Sequence, residues 1–373
     1  MAASEFLPMA RDLLPAMVDA AQGLVAVESP SEDVPACAAV VEEAIGIFAG
    51  WLPEPARREE HGGRPVWRWG PAQPRILLLG HLDTVWPLGS LDRSAILVEG
   101  DRLRGPGVFD MKAGVVQGWA ALTLAGITEA SGVGMLLTTD EEIGSPASRG
   151  VIAEAASQAD AVLVLEPSVD GALKTARKGT SWYAIDLVGR AAHAGLDPER
   201  GINALLGAAE LAMAARHWAD TENGTTVTPT ILRAGTTSNT VPAEAHLKLD
   251  VRAWTAAEQA RVDALVRAWS PDQHPVSVTI GGGIDRPAME ESASADLFTL
   301  AREAAAELGL AELHGRAVGG ASDGNLTAAQ GIPTLDGLGA VGDGAHADHE
   351  WTSIPAMADR AALVATLLTR LQN

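Results

Sequence analysis

From residue 5 to 26 and again from 33 to 50, apolar side chains return every three or four positions, which predicts two amphipathic helices. Ser31 stands where an N-cap of the second helix is expected, and Pro35 falls in its first turn, where a proline is tolerated. The period then changes. Val66–Trp69, Ile76–Gly80, Val133–Thr139 and Ala161–Leu165 are apolar runs of strand length, with helical patterns over 112–124 and 147–157 between the later ones. That alternation predicts an open α/β sheet, in which ligands gather at the carboxyl ends of the strands. His81, Glu141 and Glu166 stand at or just beyond such ends. The middle of the chain reads differently: strand 181–189, helix 202–216, strands 228–234 and 245–252, helix 256–269 and strand 275–281. This βαββαβ order is the split unit of a small ferredoxin-like domain. Beyond Arg286 the pattern returns to helix, short strand and a final helix over 353–371. The expectation is one domain made of 1–178 and 287–373, interrupted by a second over 179–286.

Composition narrows the function classes. A chain of 373 residues suits two domains, and 47% apolar residues supply a substantial core. With 27 basic against 48 acidic residues the net charge is −21, which repels phosphate backbones and anionic membranes. Neither nucleic acid nor a membrane is therefore expected as a partner, although a few local basic groups suffice to receive an anionic small molecule. The single cysteine, Cys37, excludes an internal disulfide and a thiolate zinc site and reads as a core residue, so a metal must be held by His, Asp and Glu. Residues 1–7 carry no basic segment leading into an apolar run, so a cytoplasmic location is the expectation.

Five segments offer metal ligands in polar, turn-like settings: His81-Leu82-Asp83, Gly105–Lys112 with Asp110 expected to open a helix, Asp140-Glu141-Glu142, Glu166-Pro167, and Gly344–Glu350 with His346 and His349. One residue apart in extended chain, His81 and Asp83 project the same way, so the carboxylate can accept the second imidazole N–H. Two zinc-like cations need about four ligands each, solvent included, and Asp110 as a bridge with a carboxylate and a histidine on each side meets that demand. Glu141 and Glu142 are neighbours whose side chains can face opposite ways, so that one ligates while the other moves protons.

The stretches GHLDTV (80–85), GPGVFDMKAG (105–114), TTDEEIGS (138–145), LEP (165–167), RAAHAG (190–195), SNTVPAEA (238–245), DVR (250–252) and GAHADHE (344–350) resemble, in order, those of the M20 metallopeptidases. Within that family they look closest to the glutamate carboxypeptidase (carboxypeptidase G2) type. The resemblance implies a zinc-dependent exopeptidase-like catalytic domain with an inserted lid that also dimerises. It implies two zinc ions, with cobalt or manganese as alternatives, bridged by Asp110 and completed by Glu142 and His346 on one side and His81 and Glu166 on the other. Glu141 becomes the general base and acid, and Asp83 orients His81. The family spacing favours His346 over His349. His193 would reach across a homodimer to the substrate carbonyl, while Asn239 and Arg252 grip the substrate carboxylate, joined by Lys174 and Arg286. The implied substrate is an N-acyl amino acid or peptide that releases a carboxylate-bearing amino acid such as glutamate. Deacylases, desuccinylases and dipeptidases share the metal set.

Two readings from other classes compete. Gly320-Ala321-Ser322-Asp323-Gly324 fits the G-x-S-x-G elbow of a serine hydrolase, with Asp336 or Asp343 and His346 following. Residues 316–319 make a poor buried strand before it, and the reading leaves His81, Asp110, Glu142 and Glu166 unexplained. A metal-containing binding protein without catalysis is the other, against which the presence of Glu141 counts.

Overall fold

The computed structural model describes residues 3–52, 54–272 and 274–372. They form two compact units, the first made of the chain up to Ala176 with Glu290–Val318 and Ser322 onward, the second of Arg177–Met289 with Gly319–Ala321.

The first unit opens with helices α1 (Phe6–Ala26) and α2 (Val34–Phe48). Strands β1 (Arg57–His61), β2 (Arg64–Trp69), β3 (Ile76–His81), β4 (Leu97–Glu99) and β5 (Arg102–Arg104) follow, then α3 (Ala113–Leu124), β6 (Val133–Thr138), α4 (Arg149–Ala156), β7 (Ala161–Val164) and β8 (Leu173–Arg177). The second unit contributes β9 (Gly179–Val188), α5 (Ala204–Ala215), β10 (Thr226–Ala234), β11 (Glu244–Ala253), α6 (Ala256–Ala268) and β12 (Ser277–Arg286). The chain then runs through α7 (Ala295–Glu307), β13 (Gly315–Val318), α8 (Gly324–Ala328), β14 (Thr334–Leu335), β15 (Gly342–Asp343), β16 (Trp351–Ser353) and α9 (Ile354–Leu371).

The main sheet has the order β1-β2-β6-β3-β7-β14. Strands β6, β3, β7 and the far edge β14 are parallel, and the β2 and β1 edge is antiparallel. Strand β3 is buried along its whole length, and its alternate residues serve two cores. Ile76 and Leu78 join the cluster with α1, α3 and α9, while Leu77 and Leu79 join α4 on the opposite face. Both faces covered by helices is the condition under which a parallel sheet is stable, because its strands bury both rows of side chains. The second unit has the expected βαββαβ order, with an antiparallel sheet β10-β11-β9-β12 and a core of its own. Among the described residues no helix is long and apolar enough to cross a membrane.

Two local expectations are corrected, and one strand is added. The N-cap of α2 is Asp33, whose Oδ1 accepts the Ala36 N–H at 2.9 Å, and not Ser31; the helix starts at Val34, which leaves Ser31 too early to reach its first turn. Asp110 does not open a helix but sits in an irregular turn over 108–112 with φ −114° and ψ 92°, and α3 begins only at Ala113. Strand β1 (Arg-Arg-Glu-Glu-His) shows no apolar alternation because it is a charged sheet edge, half-buried on one face and exposed on the other.

Candidate metal centre

Because β6, β3 and β7 are adjacent and parallel, the segments leaving their carboxyl ends meet at one place: His81 ends β3, Glu141 and Glu142 follow β6, and Glu166 follows β7. Asp110 and His346 arrive from two loops. His81 Nε2 lies 3.4 Å from Asp110 Oδ1 and 3.4 Å from Glu166 Oε1. His346 Nε2 lies 3.4 Å from Asp110 Oδ2 and 3.2 Å from Glu142 Oε2. Asp110 thus offers one oxygen to each histidine. Donors bonded at zinc-like distances and tetrahedral angles stand about 3.3 to 3.6 Å apart, so these separations suit ligands around two shared centres. His81 Nε2, Asp110 Oδ1 and Glu142 Oε1 are also buried without an aligned hydrogen-bond partner, which is costly unless something else pairs with them. The all-nitrogen-and-oxygen donor set therefore fits a divalent cation pair. Glu141, 8% exposed, groups with His81 and Glu166, while Glu142 groups with His81 and Asp110, so both neighbouring glutamates stand within ligand reach of His81. Both histidines of the last motif are exposed, and it is His346 that carries the contacts to Asp110 and Glu142.

Two carboxylates hold this arrangement. Asp83 is fully buried and accepts from the Glu141 N–H at 3.3 Å, the Glu142 N–H at 3.2 Å and the Ser31 hydroxyl at 2.6 Å. Its backbone oxygen is 3.0 Å from His81 Nδ1, nearer than its carboxylate at 3.5 Å, and both contacts turn Nε2 toward Asp110. Burial pushes the Asp83 carboxyl up, but hydrogen bonds from His81, Ser31 and the Glu142 N–H outweigh it and hold it below the usual range. Glu350 gathers the Asp110 turn: its oxygens accept from Trp86 Nε1 and the Gly107 N–H at 2.8 Å, the Phe109 N–H at 2.9 Å and the Asp110 N–H at 3.0 Å. Gly107 has φ +74°, and a Cβ there would lie 2.5 Å from Thr84 Cγ2, so the turn requires glycine. Beneath the Glu141-Glu142 turn, Asp323 accepts from the Ser145 and Thr138 hydroxyls. The Asp323 anchor and the Glu350 clamp were not assigned from sequence. Glu350 stands in the last motif, but its role depends on a partner loop about 240 residues away.

Without a metal, the carboxylates around the two histidines favour their protonated forms. Hydrogen bonds with Asp110 and Glu142 push His346 up to about 10, and burial only partly opposes them. Burial pulls His81 down, yet Asp110, Asp83 and Glu166 raise it well above its ordinary 6.5. Burial and the charge of Asp110 raise Glu142 to about 7, against His346. All three groups are raised, so their contribution to apo-protein stability is present at low pH; it fades as pH climbs through about 7 for Glu142 and about 10 for His346. Divalent-metal binding at pH 8 is expected to release the His346 proton, and a further proton from Glu142 below pH 7, so metal affinity rises with pH. Calorimetry in buffers of different ionisation heat measures this; a proton count near zero at pH 8 would contradict it.

Of the remaining residues singled out by sequence, Lys174 is buried with Nζ 3.5 Å from Glu166 Oε2. In the second unit, His193 and Asn239 come together through the Ala194 N–H to Asn239 O bond of 2.9 Å. His193 Nδ1 accepts the Gly195 N–H at 3.1 Å, which leaves Nε2 as the donor nitrogen. Arg252 on β11 and Arg286 on β12 both pair in register with Thr180 on β9, and Arg252 forms a fork to Asp250 at 2.9 Å for each bond. Ser322 is wholly buried and donates to Asp336 Oδ2 at 2.6 Å, and among the described residues no histidine hydrogen-bonds it. That geometry removes it as a nucleophile.

The sequence model of peptidase family M20/M25/M40 matches residues 77–370. The chain is 32% identical over 314 residues to carboxypeptidase G2 of Pseudomonas sp. (strain RS-16), covering 79% of this chain and 74% of that protein. It is 31% identical over 211 residues to succinyl-diaminopimelate desuccinylase of Methylobacterium sp. (strain 4-46), covering 50% of this chain and 52% of that one. The fold superposes on an M20 family metallo-carboxypeptidase from Sulfolobus solfataricus with a TM-score of 0.73 at 16% identity, covering 95% of this chain and 99% of the other.

Proposed function

The chain belongs to peptidase family M20/M25/M40 and is an enzyme of the hydrolase class, and from that premise we propose a di-zinc metallohydrolase that cleaves an amide bond and releases a carboxylate-bearing amino acid. The observation that carries the reading is the donor geometry: Asp110 lies between His81 with Glu166 and His346 with Glu142, at separations of 3.2 to 3.4 Å. In it, His81, Asp110 and Glu166 would hold one cation and Asp110, Glu142 and His346 would hold the other. Bound divalent cations supply Lewis acidity, acidifying water and polarising the scissile carbonyl. Glu141 takes a proton from the attacking water and passes it to the leaving amine as the C–N bond breaks. Asp83 keeps His81 in the tautomer whose Nε2 ligates.

Recognition falls to the basic and amide groups. Arg252 and Arg286, one strand away from Thr180 on either side, stand about 10 Å apart along the sheet, a spacing able to flank a carboxylate. An incoming carboxylate must compete with Asp250 for the Arg252 fork. Asn239 joins Arg252 on that carboxylate, His193 Nε2 donates to the scissile carbonyl across a homodimer formed through the second unit, and Lys174 adds positive charge. A second reading, deacylation or desuccinylation by the same site, is favoured by the desuccinylase similarity.

A panel of N-acyl amino acids and dipeptides, assayed by amine release, tests both. N-acyl-glutamate or -aspartate is expected to be cut fastest, with activity abolished by a chelator and restored by zinc. Preference for N-succinyl diamino acids selects the second reading, and chelator-insensitive turnover sinks the metal mechanism.

A further inference from the structure

Ser31 is 4% exposed and caps no helix. Its hydroxyl lies 2.6 Å from Asp83 Oδ2 and 3.4 Å from the Thr84 carbonyl oxygen. A serine hydroxyl has one hydrogen to give, and a carboxylate at the shorter distance takes it. The backbone fixes this approach. The Thr84 N–H donates to Ser29 O at 2.8 Å, the Ser31 N–H donates to Thr84 O at 3.2 Å, and the Ser29 hydroxyl donates to Leu82 O at 2.7 Å. Residues 29–31 thus run as a clasp along the His81–Thr84 segment, with Pro30 bridged to Thr84. Asp83 has its other bonds to His81 and to the N–H groups of the Glu141-Glu142 turn, so its orientation reaches both halves of the centre.

We propose that Ser31 is a positioning residue of the metal centre, whose hydroxyl locks the Asp83 carboxylate in the orientation that faces His81 Nδ1 and receives the Glu141 and Glu142 N–H groups together. The inference rests on the metallohydrolase reading for the cations and on the Ser31–Asp83 geometry for the rest. Without the hydroxyl, Oδ2 retains the Glu142 N–H at 3.2 Å, the carboxylate gains rotational freedom, and His81 loses part of its angular restraint.

Competitive zinc titration against a chromogenic chelator tests this on the full chain and on Ser31→Ala, Asp83→Asn and the double variant. Ser31→Ala is expected to raise the free zinc needed for half-loading about tenfold to a hundredfold, as for other groups that orient a metal ligand. The double variant is expected to lose no more than Asp83→Asn alone, because Ser31 acts through Asp83. Asp33→Ala, which removes the true cap of α2, is the control: it should lower the melting temperature by about 2 to 4 °C and leave zinc loading unchanged. Wild-type loading by Ser31→Ala, or full multiplication of the two single effects in the double variant, overturns the proposal. So does a zinc-free Ser31→Ala that melts below Asp33→Ala, since Ser31 would then be structural. Failure of the parent chain to take up zinc overturns the metallohydrolase reading as well, whereas equal uptake by parent and Ser31→Ala overturns this inference alone.

Discussion

A Glu141→Gln variant is expected to keep the zinc content of the parent and to lose about 10²- to 10⁴-fold in turnover, the usual contribution of a general acid–base. Glutamine preserves the volume and one acceptor oxygen at a site that is 8% exposed, so packing changes little. What it removes is the ability to hold a proton between attack and departure of the amine. The alternative is specific. Glu141 offers an oxygen within reach of the donors of His81 and Glu166, so it is placed where a ligand could also stand. Zinc analysis alongside kinetics separates the roles: a variant that loses a zinc equivalent makes Glu141 a ligand, and a variant as active as the parent makes it neither ligand nor base. The Michaelis constant should move little, because the substrate carboxylate is assigned to other residues.

Replacing Glu350 is expected to be the most destabilising single change at the centre. Its two oxygens take four donors, three of them backbone N–H groups of the Gly107–Asp110 turn, and it is 3% exposed. Glu350→Ala leaves those donors buried and unpaired, at a cost of about 3 to 5 kcal/mol. Glu350→Gln should not rescue it. The Trp86 and Gly107 donors meet one oxygen and the Phe109 and Asp110 donors the other, so either flip of the amide sets an NH₂ group against two N–H groups. Urea unfolding and zinc stoichiometry measure both effects, since the displaced turn carries Asp110. A Glu350→Gln chain within about 1 kcal/mol of the parent, with the parent's metal content, would show that the turn holds itself.

The candidate centre was legible in the sequence to the extent that its residues stand at the ends of buried strands. Ile76–Gly80 and Ala161–Leu165 announce strands by apolar runs, and an α/β alternation puts their carboxyl ends side by side. The same logic gave the βαββαβ order of the second unit, because helix and half-buried strand periods are local. Elements without such a period escaped, as in β1 with five polar residues, or the two-residue strands β14 and β15. The serine elbow is a local match that its poor preceding strand already counted against, and the burial of Ser322 against Asp336 disposes of it.

The sequence alone, then, determined the fold class and the βαββαβ order of the second unit and offered candidate side chains for holding cations, since apolar period and residue chemistry are carried by neighbours in the chain. Tertiary structure decided the hydrogen bonds behind them. Ser31 looks like a cap until the fold brings Asp83 within 2.6 Å of it. Glu350 is one acid in an acidic loop until the Asp110 turn is laid across it. Each of these choices joins residues distant in sequence, and no local pattern encodes which distant partner a short polar side chain will find.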